Sequence, residues 1–248
     1  LSDLIIAAHS ADPNGNASGA AYVVFGKADG THVPLSQLET GGNGGFVING
    51  AEAGDNAGYS VGGIGDLNAD GLDDVIVGAQ LSDPNGNADA GSAYVIFGKT
   101  NNTPVELLQI ESGLGGFAIN GASPGDQAGF HVTGSDDING DGINDLVVGA
   151  RLADPNGTSS GSAYVVFGKA DTSTVELSQI ETGSPLGFAI NGASAQDQAG
   201  HKVNAAGDVN GDGLSDIVIG AYIADPRGNA SGAGYVVFGK TTTDPIEL

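Results

Sequence analysis

The stretch GDLNADGLDDVIVGA, from Gly65 to Ala79, decides how this chain folds. It returns as DDINGDGINDLVVGA from Asp136 to Ala150 and as GDVNGDGLSDIVIGA from Gly207 to Ala221. Its first loop aspartate stands at Asp66, Asp137 and Asp208, a period of 71 residues. A fixed period of this kind marks one supersecondary unit repeated along the chain. A further copy opens inside the motif: SDLIIAA, Ser2 to Ala8, aligns with SDIVIGA, Ser215 to Ala221, and Asp3 keeps register with Asp74. At the other end TDPIEL, closing at Leu248, matches NTPVEL, closing at Leu107. The 248 residues hold about three and a half repeats, approximately 1–56 (partial), 57–127, 128–198 and 199–248 (partial). The chain is expected to be an excerpt of a longer array. A chain that closes by taking the missing piece from a neighbour is the alternative.

Each period reads as four short strands separated by turn signals. In the second copy these are AGYSVGGIG (Ala57 to Gly65), DVIVGA (Asp74 to Ala79), AYVIFG (Ala93 to Gly98) and GFAING (Gly116 to Gly121), here strands A to D. Strand B is a continuous β-branched run in every copy, LIIA, VIVG, LVVG and IVIG, as a strand covered on both faces requires. Helical periodicity is confined to the link containing VELLQI. The expected fold is all-β, a β-propeller of four-stranded antiparallel blades. A period of 71 is long for a coil of a stacked β-helix and short for an independent sandwich.

The A–B loop carries the chemistry. Asp66, Asn68, Asp70 and Asp74 stand at loop positions 1, 3, 5 and 9, repeated by Asp137, Asn139, Asp141 and Asp145 and by Asp208, Asn210, Asp212 and Asp216. Hard oxygen donors at alternating positions, with a glycine after the third, are what Ca²⁺ needs. Leu72, Ile143 and Leu214 at position 7 would each lend a backbone carbonyl. These are not EF-hands, because position 12 falls on Val77, Val148 and Ile219, inside strand B. The fourth loop retains only Asp3 and the Leu1 carbonyl. The competing reading is a set of Asp/Asn/Gly-rich turns. Mg²⁺ suits so many protein oxygens less well than the larger ion.

Composition sets the outer bounds. Asp and Glu number 30 against 7 Lys and Arg, a net charge of −23, and Cys, Met and Trp are absent. Disulfides, thiolate metal sites and a cysteine nucleophile are therefore excluded. A nucleic-acid partner is not expected without a basic cluster. No apolar run approaches the roughly 20 residues of a membrane span. At 40% hydrophobic residues the chain can bury a core, so its acidity does not signal disorder.

The combination AGxxV, GDxNxDGxxD and a β-branched run ending in GA resembles the FG-GAP repeat, the calcium-binding blade motif of integrin α-subunit propellers and of many bacterial surface proteins. The resemblance implies a seven-bladed ring, extracellular placement and a binding role, and transfers no particular ligand. Departures are visible: the FG position reads Ala57-Gly58, Ala128-Gly129 and Ala199-Gly200, and His9, Gln80, Arg151 and Tyr222 stand where the proline of GAP would be. Asp136 replaces the glycine before the second loop.

In an up-and-down blade the A–B loops share one face with the C–D links, and the B–C and D–A loops share the other. His9, Gln80, Arg151 and Tyr222 occupy one equivalent B–C position without common chemistry, which makes them a candidate recognition surface; a tolerant solvent-facing position is the plainer reading. Asp12, Asp83, Asp154 and Asp225, each before proline, read as turn formers, with a second, weaker cation site on Asp12, Asn14 and Asn16 as the alternative. Asp55, Asp126 and Asp197 read as turn or cap residues. Ser60 sits in a GxSxG match, but its equivalents are His131 and Lys202 and the context is a blade, so no nucleophile is read there. Sequons occur at Asn16, Asn101, Asn156 and Asn229. The expectation is a non-enzymatic, calcium-binding module of a secreted or cell-surface protein that mediates adhesion or recognition of a protein or glycan. A structural repeat subunit of an extracellular filament or surface array, partnered with copies of itself, is the alternative.

Overall fold

A computed structural model describes residues 1–248. The first repeat supplies β1 (Leu4–Ala8), β2 (Ala20–Val24), α1 (Leu35–Leu38) and β3 (Gly45–Asn49). The second supplies β4 (Ser60–Gly65), β5 (Asp74–Ala79), β6 (Ser92–Ile96), β7 (Val105–Glu106), α2 (Leu107–Glu111) and β8 (Gly116–Asn120). The third supplies β9 (Ala128–Ser135), β10 (Asp145–Ala150), β11 (Ser162–Val166), β12 (Val175–Glu176), α3 (Leu177–Glu181) and β13 (Gly187–Asn191). The fourth supplies β14 (Ala199–Gly207), β15 (Asp216–Ala221), β16 (Ala233–Val237) and β17 (Ile246–Glu247).

These elements make four consecutive sheets in the manner of propeller blades, the second and third with all four strands, the first without strand A and the last without strand D. The second pairs β4, β5, β6 and β8 antiparallel, with Val77 opposite Val61 and Tyr94, and Tyr94 opposite Ala118. The expected four strands gain a fifth. β12, from the next repeat's C–D link, adds parallel to β8 through Val175 opposite Ile119. β7 does the same to β3 of the first blade, and β17 to β13 of the third. The VEL segment thus leaves its own blade, edges the preceding one, and returns through a short helix.

The core lies between blades. Ile76 of β5 packs toward the third blade with Val95, Phe117, Val132, Leu146 and Val148. Val77, its neighbour in sequence, points the other way, to Ala21, Val23, Phe46 and Ile48 of the first blade. Side chains alternate across a strand, so a run of consecutive β-branched residues fits only a sheet covered on both sides. The GA that ends strand B has a steric cause. A Cβ on Gly78 would meet the Gly129 carbonyl oxygen at 2.1 Å, and one on Gly149 the Gly200 carbonyl oxygen at 2.1 Å, so neighbouring backbones touch there.

Candidate metal centres

The A–B loop of the second blade is a closed set of side chain to backbone bonds. Asp66 accepts the Asp70 N–H (3.1 Å) and the Gly71 N–H (2.8 Å). Asn68 Oδ1 accepts the Asp70 N–H at 2.9 Å, and Asp70 Oδ1 accepts the Leu72 N–H at 2.9 Å. The same bonds recur around Asp137, Asn139 and Asp141 and around Asp208, Asn210 and Asp212. Local bonds of this kind are how Asp and Asn shape turns. Position 4 of the loop is left-handed, Gly140 at φ +85° and Gly211 at φ +80°, but Ala69 at φ +61° in the second blade. Gly140 and Gly211 also donate their N–H to Asp137 and Asp208 at 2.6 and 2.7 Å.

Position 9 behaves differently from positions 1, 3 and 5. Asp74, Asp145 and Asp216 are fully buried. Asp145 accepts the Ile138 N–H at 2.7 Å and the Gly168 N–H at 2.9 Å, so one carboxylate ties its own loop to the end of strand C. Asp74 does the same with Leu67 and Gly98, and Asp216 with Val209 and Gly239. Burial pushes Asp145 up to about 6 and Asp74 upward, against the pull of those N–H groups. In the partial first copy Asp3 keeps half of the tie, accepting the Gly26 N–H at 2.8 Å.

The donor set suits a hard cation: carboxylate and amide oxygens, with no nitrogen or sulfur. The carbonyls of Leu72, Ile143 and Leu214 accept no hydrogen bond within the chain, which leaves those oxygens free for an ion. The carboxylates do not already converge, since no three acidic or histidine side chains are drawn together at metal-binding spacing. Like charges in one turn repel, and the carboxylates turn to backbone N–H donors of the loop and of the end of strand C instead.

On the opposite face the four candidate recognition positions do not form one open ring. Gln80 is buried, 8% exposed. The Arg151 guanidinium lies 4.2 Å over the Phe130 ring and donates to Gln127 at 2.8 Å. His9 packs edge-on to Tyr59 at 5.4 Å, and Tyr222, 53% exposed, lies 4.1 Å from His201. The turn-forming aspartates act as read: Asp12, Asp83 and Asp154 accept the N–H groups of Ala17, Asp89 and Ser159, and Asp225 that of Ala230.

Sequence reasoning missed the groups that join blades. Glu106 of β7 accepts from Asn14 (2.9 Å) and Asn49 (2.7 Å) of the preceding repeat. Glu176 holds Asn85 and Asn120, and Glu247 holds Asn156 and Asn191, in the same way. Lys99, Lys169 and Lys240 lie 4.4, 4.0 and 4.3 Å over Phe46, Phe117 and Phe188 of the blade before. The signal was present, since DPN, ING, VEL and FGK all recur with the repeat.

A family profile described as the FG-GAP repeat matches residues 57–96, 128–166 and 203–237. Integrin alpha-PS2 of Drosophila melanogaster is 30% identical over 184 residues, 73% of this chain and 12% of the relative. Integrin alpha pat-2 of Caenorhabditis briggsae is 31% identical over 179 residues, 68% of this chain and 13% of the relative. A phosphatidylinositol-glycan-specific phospholipase D of Bos taurus is 31% identical over 173 residues, 67% of this chain and 19% of the relative. The chain thus spans under a fifth of the length of each of these relatives.

Proposed function

The chain belongs to the FG-GAP repeat family, and from that premise we propose that it is a calcium-binding propeller segment serving adhesion or recognition in an extracellular or cell-surface protein. The observation that carries the reading is the triple recurrence of one oxygen-donor loop on one end of successive blades. Asp66, Asn68, Asp70 and Asp74, with the Leu72 carbonyl, would hold one Ca²⁺. Asp137, Asn139, Asp141, Asp145 and the Ile143 carbonyl would hold the second, and Asp208, Asn210, Asp212, Asp216 and the Leu214 carbonyl the third. An ion there supplies a positive centre for carboxylates that otherwise crowd one turn, so its binding stabilises the folded chain.

Recognition is assigned to the other face. B–C and D–A loops are bonded together there, the Gly54 N–H donating to the Asn16 carbonyl and the Gln127 N–H to the Asp89 carbonyl. Partners of protein or glycan character fit a surface of loops held by a rigid scaffold. The reading is non-enzymatic: the acids of the A–B loops and of the VEL links have loop or inter-blade roles, and Ser60 accepts the Val132 N–H at 3.1 Å. No helix is long and apolar enough to cross a membrane.

Thermal melting with added calcium and with chelator tests the metal assignment. Calcium is expected to raise Tm, chelator to reverse the gain, and the triple variant Asp70→Ala, Asp141→Ala, Asp212→Ala to lose the response while keeping its β spectrum. An identical Tm with calcium and with chelator would sink the assignment.

A further inference from the structure

A cavity of about 310 Å³ opens at the B–C end of the second blade. Five acids line it, Glu52, Asp55, Asp83, Glu111 and Glu176, and no Lys, Arg or His does. Part of their acceptor capacity is already used. Glu176 takes the Asn85 and Asn120 amides, Glu111 takes the Tyr94 hydroxyl at 2.7 Å, and Asp83 takes the Asp89 N–H. Asp55, 7% exposed, accepts only the Glu52 N–H, through one of its two oxygens. Ser82, 4% exposed, also lines the cavity, and its hydroxyl has no hydrogen-bond partner. A buried hydroxyl without a partner is costly unless something bonds to it.

We infer that this cavity binds a primary alkylammonium group, as on a free diamine, with Asp55 as counter-ion and the Ser82 hydroxyl as a further acceptor. A bare divalent ion fits less well. Glu176, Glu111 and Asp83 already spend acceptor oxygens on Asn85, Asn120, Tyr94 and Asp89, which leaves too few free carboxylates beside Asp55 for the roughly six to eight oxygens such an ion takes. An ammonium brings three donors of its own and an apolar stem that fills volume. Burial, reinforced by the charges of Glu52, Glu111 and Asp83, raises Asp55 to about 6, the direction expected of a carboxylate awaiting a cation. The next blade repeats the arrangement with Asp126, Asp154 and Glu181 round a cavity of about 460 Å³, but Ala153 stands where Ser82 would be. The second blade is therefore the stronger site. The inference names a ligand for the recognition face proposed above, and its test runs in calcium buffer, so the two readings can fail separately.

Titration calorimetry with cadaverine at constant ionic strength is the measurement. Saturable binding is expected, with Ser82→Ala and Asp55→Asn each weakening it about tenfold, the loss of one charge-assisted bond. Both variants should fold, because alanine already occupies the Ser82 position at 153 and Asp55→Asn removes a charge that burial penalises. Tetramethylammonium, a cation without N–H donors, should fail to compete. A blocked lysine amide in a second arm separates a lysine side chain from a free diamine: binding tighter than cadaverine would overturn the diamine assignment. Equal affinity in wild type and both variants, or displacement by tetramethylammonium, would show only attraction to a chain of charge −23 and overturn the site.

Discussion

Asp145 holds two jobs that a loop pattern cannot distinguish. As position 9 of a cation loop it was legible in the sequence; as a buried tie between Ile138 and Gly168 it was not. The second partner lies 23 residues away in sequence, and nothing local announces it. The two jobs separate by experiment. In chelator, Asp145→Ala leaves one buried and one part-buried N–H group without an acceptor and should cost about 2–4 kcal/mol in denaturant unfolding. Asp141→Ala removes an exposed side chain bonded within its own turn and should cost under about 1 kcal/mol under the same conditions. Equal losses from the two variants would mean that Asp145 is merely another turn residue. Ala69 shows the opposite kind of blindness: the repeat places glycine at its equivalents 140 and 211, and only the left-handed backbone accounts for that choice.

At the level of elements, strand B was readable because a run of consecutive β-branched residues suits little besides a strand covered on both faces. The exit of β7 and β12 from their own blades was not readable. A two-residue strand carries no periodicity, and VELLQI has only a helical pattern to show. Pairing there is secured by side chains instead, through Glu106 with Asn14 and Asn49. Glu106→Ala should destabilise the chain by about 1–3 kcal/mol, the range for hydrogen bonds to a half-buried charge. Hydrogen exchange should localise the change: β3 and β7 lose protection while β11 and β13 keep theirs. Uniform loss across all blades would contradict a local clamp.

For the whole molecule, charge and stability are linked through groups that the acid count alone could not rank. Burial pushes Asp55 and Asp126 up to about 6. An unfolded aspartate titrates near about 3.9, so between those values the folded chain holds the extra protons. The stability these two groups contribute is full below about pH 4 and is lost as pH rises through about 6. In chelator, Tm should therefore climb as pH falls from about 7.5 to about 5. The double variant Asp55→Asn, Asp126→Asn should flatten part of that climb; a climb of unchanged slope would assign it to Asp145, which burial also pushes up to about 6, and to general charge repulsion. The blade order was legible from the period, whereas the stitching of blade to blade depended on contacts that only the fold brings together. That stitching has a consequence for synthesis. A nascent chain that has released β8 at Asn120 still lacks the edge strand of that sheet until Val175 and Glu176 emerge. Each blade on the ribosome therefore matures one repeat behind translation, its outer edge open to wrong partners for that interval.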